Sequence, residues 1–105
     1  MRFFEPNSQS MESSSSNTVR KQIQFTGTVQ GVGFRYLVQQ LARHYHISGW
    51  VQNQWDGSVI AQLQGPPENI NKLIEKLYED RYIQIDEIKQ KTLPTQIEAG
   101  FQVRY

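Results

Sequence analysis

The periodicity of the apolar residues changes along this chain, and the order of those changes restricts the fold more than any single residue does. From Lys21 to Val29 the sequence alternates, with Lys21, Ile23, Phe25, Gly27 and Val29 on one side and Gln22, Gln24, Thr26 and Thr28 on the other. Period two is the mark of a strand with one buried face. Phe34, Leu37, Val38, Leu41, Ala42 and Tyr45 then recur at the spacing of an amphipathic helix that reaches about His46. Ile47, Gly49, Val51 and Asn53 return to period two, Asp56-Gly57 signals a hairpin, and Val59, Ala61 and Leu63 form a third strand.

Gly65-Pro66-Pro67 breaks that strand and opens a second helix, whose stripe is Ile70, Leu73, Ile74 and Leu77. Glu68 and Lys72 are spaced as a favourable i,i+4 pair. Tyr82 to about Lys91 reads as a less regular strand. Ile83 and Ile85 share a face, Ile88 is out of phase, and a bulge would reconcile them. Phe101, Val103 and Tyr105 alternate in a short last strand.

The order β-α-β-β-α-β-β defines an α+β fold. It is a ferredoxin-like βαββαβ sandwich with an added C-terminal strand, its two helices on one face of a mostly antiparallel sheet. In that arrangement the first two strands run the same way, with the third between them. The loop after the first strand and the far end of the second therefore share one end of the sheet, roughly 10 Å apart.

Composition excludes several classes of function. The 105 residues suit one small domain. With no cysteine, neither a disulfide framework nor a thiolate metal site is available. Eleven Lys and Arg against ten Asp and Glu lack the basic excess of a general nucleic-acid binder. No apolar run is long enough to span a membrane, and the start of the sequence has no signal-peptide layout, so a cytoplasmic location is expected. Residues 1–18 are dominated by serine and other polar residues without lasting period, and a disordered tail is expected there, ahead of a domain over 19–105.

The stretch QGVGFR, residues 30–35, carries the clearest chemical signal. A helix N-terminus leaves four N–H groups without intrahelical partners, and Ser, Thr, Asp or Asn normally supplies a cap. Gly31, Val32, Gly33 and Phe34 offer no side-chain oxygen, and Arg35 puts a cation against the positive end of the dipole. Both oddities are relieved if an anion sits there. Backbone N–H groups and an arginine fork suit a phosphate, and Gly27, Gly31 and Gly33 let the backbone curl around it. A glycine-rich turn with a solvated arginine is the competing reading. Asn53 is the second oddity, an asparagine in phase with Ile47 and Val51. It either begins the hairpin turn or joins Arg35 in a site.

At these residues a family resemblance emerges. FTGTVQGVGFR, residues 25–35, and SGWVQNQWDGSV, residues 48–59, resemble the two signatures of the acylphosphatase family. GPPENINKLIEKL and FQVRY also fit, so the resemblance runs from near Val19 to Tyr105. It implies hydrolysis of the carboxyl–phosphate bond of small acyl phosphates to carboxylate and inorganic phosphate. No metal, no cofactor and no covalent phosphoenzyme would be involved. Arg35 would bind the phosphoryl group, and the backbone of Gly27, Thr28, Val29, Gln30, Gly31, Val32 and Gly33 would form the cradle. Asn53 would orient the attacking water. The implied partners are the acyl phosphate and inorganic phosphate, the latter as product and competitive inhibitor, with no nucleic acid and no membrane, in a monomer. His46 departs from the family, which often has glycine at that helix end.

Other residues have plainer readings. His44 and His46 are solvated histidines near a helix end rather than metal ligands, and Asp56 is a turn residue rather than a base. Trp50 packs on a sheet face or joins Trp55 in a rim. Tyr36 and Tyr45 follow the helix as packing residues. A non-catalytic anion-binding module of the same shape remains an alternative. An RNA-binding domain ranks lower, because Gln22, Gln24, Thr26, Gln62 and Gln64 occupy the outer face where exposed aromatic residues would be wanted.

Overall fold

A computed structural model describes residues 17–105, so the tail expected over residues 1–18 lies outside the described residues except for Asn17 and Thr18. The elements are β1 (Val19–Thr28), α1 (Phe34–His44), β2 (Ser48–Asn53), β3 (Val59–Gly65), α2 (Pro67–Glu79), β4 (Gln84–Leu93) and β5 (Phe101–Arg104). They form one five-stranded sheet in the order β4-β1-β3-β2-β5. β3 runs antiparallel to both β1 and β2, β4 is antiparallel to β1, and β5 is parallel to β2. The ends of β1, β2 and β5 consequently point to the same end of the sheet. Among the described residues, no helix is long and apolar enough to cross a membrane.

The core lies between the sheet and the helices. Ile23, Phe25, Val51, Val59, Ala61 and Leu63 are buried beneath Phe34, Val38 and Ala42 of α1 and Ile70, Leu73 and Leu77 of α2. Full burial of one such side chain stabilises the fold by roughly 1.5–3 kcal/mol. Phe34 opens α1 and packs edge-on against Phe25, with ring centroids 5.0 Å apart, which fixes the start of the helix to β1.

The expected bulge in β4 is present. Thr26 pairs with Glu87 and Gly27 with Ile85, leaving Asp86 as the extra residue. The insertion returns Ile88 to the core side, opposite Phe25. β4 begins at Gln84 rather than Tyr82, because Asp80 Oδ1 accepts a hydrogen bond from the Tyr82 N–H and holds that segment in a turn. No Glu68–Lys72 ion pair forms. Lys76 meets Glu79 at 3.4 Å instead, as expected where exposed pairs barely offset the entropy of two long side chains.

The outer face of the sheet holds a feature the periodicity did not reveal. Arg20 is fully buried there. Its Nε donates to Gln62 Oε1 at 2.9 Å, and its Nη1 donates to Gln64 Oε1 at 3.2 Å and to Glu98 Oε1 at 2.6 Å. Gln64 also exchanges two hydrogen bonds with the backbone of Gln96. These bonds clasp the connection that carries the chain from β4 at one edge to β5 at the other.

The end of α1 is a Schellman motif. The Ile47 N–H donates to the Ala42 carbonyl at 2.7 Å and the His46 N–H to the Arg43 carbonyl at 3.4 Å. The motif needs a left-handed residue, and His46 supplies it at φ 58°. A Cβ there costs about 1–2 kcal/mol, which the unfolded-state entropy of glycine offsets by about 0.5–1 kcal/mol. His46→Gly is expected to stabilise the protein by about 0.5–1 kcal/mol and to raise the thermal midpoint by roughly 2–8 °C. A lowered midpoint would contradict this strain.

Candidate active site

β1 leaves the sheet after Thr28, and residues 30–33 form an open bend before α1 begins. Gly31 and Gly33 take φ of 76° and 78°, conformations that side-chain-bearing residues resist. Gly33 is the N-cap and α1 has no side-chain cap and no acidic residue in its first turn. The first helical bond runs from the Leu37 N–H to the Gly33 carbonyl. Among the described residues, no protein group accepts a hydrogen bond from the N–H groups of Gly31 to Tyr36. The orphaned donors expected from QGVGFR are present.

A pocket of about 180 Å³ opens at this mouth, lined by Val29, Gly31, Gly33, Phe34, Arg35, Tyr36 and Asn53. It brings Val29, Gly31 and Gly33 of the expected cradle together with Arg35 and Asn53, as their shared sheet end requires. Asn53 closes β2 on the helix-facing side, in phase with buried Val51. Its side-chain amide has no hydrogen-bond partner among the described residues, and it does not form the turn. Asp56 does that: its Oδ1 accepts from the Ser58 N–H at 3.0 Å and from the Ser58 hydroxyl at 2.7 Å. The Ser58 side chain, then its N–H, hold the Asp56 carboxyl below its ordinary value.

The other cradle residues take different positions. Gly27 and Thr28 remain in the β1–β4 ladder, paired with Ile85 and Gln84, outside the pocket wall. A Cβ on Gly27 would lie 2.2 Å from the Gln84 carbonyl oxygen, so close approach at the bulge already requires glycine there. Gln30 and Val32 do not line the pocket either. Gln30 has a bracing position, its Nε2 donating to the Gln54 carbonyl at 2.7 Å and the Ser58 carbonyl at 2.9 Å. That links the bend to the hairpin that carries Asn53.

Two neighbours of Arg35 leave no periodic signal in the sequence. Tyr36 is 57 % exposed and lines the pocket, and the expectation that it packs on the core is corrected. Two residues beyond Phe34 a helix has turned about 200°, so Tyr36 falls off the buried stripe. Tyr45 does pack against the core. The second neighbour is the end of β5. Arg35 Nη1 donates to the Arg104 carbonyl at 2.9 Å, and its guanidinium lies 4.8 Å from the centroid of the Tyr105 ring. The Tyr36 and Tyr105 hydroxyls are 3.1 Å apart. That hydrogen bond holds the Tyr105 phenol above its usual range, against a smaller opposite pull from Arg35. Trp50 packs on the outer sheet face with Arg104 stacked on it at 4.2 Å, whereas Trp55 is 97 % exposed on the hairpin.

Arg35 carries five N–H donors, and the Arg104 carbonyl uses only one. The rest, with the unpartnered backbone N–H groups, make a positively polarised cup for an oxyanion. Among the described residues, no group of three or more His, Asp or Glu side chains is placed to hold a metal ion.

Comparison with known proteins places the chain in a family. The family model for acylphosphatase matches residues 21–103. An acylphosphatase of Clostridium acetobutylicum is 39 % identical over 85 residues, covering 79 % of this chain and 93 % of that protein. One from Bifidobacterium longum is 49 % identical over 63 residues, covering 60 % of this chain and 65 % of the relative. The structure of an acylphosphatase from Coxiella burnetii superposes with a TM-score of 0.79 at 27 % identity, over 87 % of this chain and 97 % of that one. The chain belongs to the acylphosphatase family, hydrolases that act on acid anhydrides.

Gln30→Leu removes the donor that two carbonyls share. The expected loss is about 1–3 kcal/mol of unfolding free energy, measured by urea denaturation. A loss below about 0.5 kcal/mol would show that the bend and the hairpin hold together without the amide.

Proposed function

We propose that this protein hydrolyses small acyl phosphates to a carboxylate and inorganic phosphate at the mouth of α1. The observation that carries this reading is the convergence of Arg35, Asn53 and the glycine bend on one pocket. The phosphoryl oxygens sit against the backbone N–H groups of the bend and the first turn of α1, with Arg35 forking two of them. Val29, Gly31 and Gly33 line the cup, Gln30 and Val32 complete its backbone, and Gly27 and Thr28 anchor its stem in the sheet.

Asn53 is free to hold a water on the side of the phosphorus away from the leaving carboxylate. Its side-chain oxygen accepts one water proton and leaves a lone pair aimed at phosphorus. The water oxygen forms the new P–O bond as the bond to the acyl oxygen breaks. A carboxylate leaves without a strong general acid, so positioning and charge stabilisation supply the rate. The water's second proton passes to a phosphoryl oxygen of the substrate.

Among the described residues, the pocket wall holds no Ser, Cys, His, Asp or Glu, which supports direct attack by water over a covalent phosphoenzyme. It also offers no carboxylate to a divalent cation, which supports a metal-free reaction in which Arg35 and the backbone carry the charge.

Arg35→Ala and Asn53→Ala are each expected to lower kcat/KM for acetyl or benzoyl phosphate by roughly 10²- to 10³-fold while leaving the far-UV spectrum unchanged. Full turnover by either variant contradicts its role. Inorganic phosphate is expected to inhibit competitively, and a chelator to leave the wild-type rate unchanged. Phosphate binding without any turnover would point instead to a non-catalytic anion module.

A further inference from the structure

A pocket of about 180 Å³ is smaller than the roughly 300–1,000 Å³ of cavities that enclose drug-sized ligands. It has room for the phosphoryl group and the first atoms of an acyl group. A larger acyl group has to lie across the mouth, and what stands there is aromatic. Tyr36 lines the pocket and is 57 % exposed, and Tyr105 is 83 % exposed. Their hydroxyls are 3.1 Å apart, which ties the tips of the two side chains to each other. The Tyr105 ring also lies over Arg35, so this pair abuts the cation assigned to the phosphoryl group. Neither ring belongs to the core.

The charges nearby fit an uncharged occupant. Arg35 is committed to the phosphoryl group, and Arg104 is stacked on Trp50. Among the described residues, no carboxylate lines the pocket to receive an amino group. A flat ring, by contrast, gains contact area and favourable edge or face geometry against two phenols.

Resting on the hydrolase reading above, we propose that Tyr36 and Tyr105 form an acyl-binding platform that selects aromatic acyl phosphates over acetyl phosphate. The platform acts on the group that leaves, whereas the bend, Arg35 and Asn53 act on the group that is transferred.

The test is the ratio of kcat/KM for benzoyl phosphate to that for acetyl phosphate. The wild-type enzyme is expected to favour benzoyl phosphate, and Tyr36→Leu and Tyr105→Leu each to reduce the ratio about three- to tenfold, the worth of one aromatic pair. Tyr36→Phe keeps the ring and is expected to keep most of the ratio. A measurement without variants runs in parallel. Phenylphosphonate is expected to inhibit the wild-type enzyme about three- to tenfold more strongly than methylphosphonate. A ratio equal in the wild type and both leucine variants, or equal inhibition by the two phosphonates, overturns the platform while leaving the hydrolase intact. Failure of the wild type to turn over either substrate overturns both, and the absent rate, rather than an unchanged ratio, identifies that case.

Discussion

A helix that begins without a cap governs this end of the molecule. The N–H groups from Gly31 to Tyr36 find no protein acceptor among the described residues, and the first side chain able to form a charged interaction is a cation. Unsatisfied donors and a like-signed charge at the positive end of a dipole both oppose folding, by about 0.3–1 kcal/mol for the dipole term alone. Burial of Phe34 against Phe25 holds the mouth in place regardless, because one buried aromatic outweighs that cost. The core therefore sustains a local conflict, of the kind that the proposed oxyanion would relieve.

The rest of the fold orients that conflict. β1, β2 and β5 all end where α1 begins, which follows from a parallel β2–β5 pair outside an antiparallel β1–β3–β2 core. β5 reaches that place because the chain crosses from one sheet edge to the other under the ion pair between buried Arg20 and half-buried Glu98. Leaving the buried Arg20 charge without its partners would be costly, which penalises alternative paths for the crossover. Here the consequence is positional: the clasp fixes the crossover, the crossover fixes β5, and the Arg104 carbonyl and the Tyr105 ring fix Arg35.

Much of this was legible in the sequence, and the reason lies in locality. The alternation of Ile23 and Phe25, the helical stripe of Phe34, Val38 and Ala42, and the bulge implied by Ile85 and Ile88 are patterns of neighbours in the chain, and each reappears in the fold. The missing cap could be read from four consecutive residues. Arg20 could not, since its partners Gln62 and Glu98 lie 42 and 78 residues away and an arginine in a strand gives no sign of burial. Tyr36 lies off the apolar stripe, and nothing in its neighbours shows that it lines the pocket instead of packing. The link between Arg35 and β5 spans 69 residues and leaves no periodic trace.

The most direct measurement is a titration of the ¹⁵N-labelled protein with inorganic phosphate, followed amide by amide. Saturable shifts concentrated at Gly31 to Tyr36 and at the side-chain NH₂ of Asn53, with loss of both in Arg35→Ala, are the predicted result. Unmoved amides at the start of α1, or shifts centred on the larger groove beside Arg43 and His46 at the other end of that helix, would contradict an oxyanion site there.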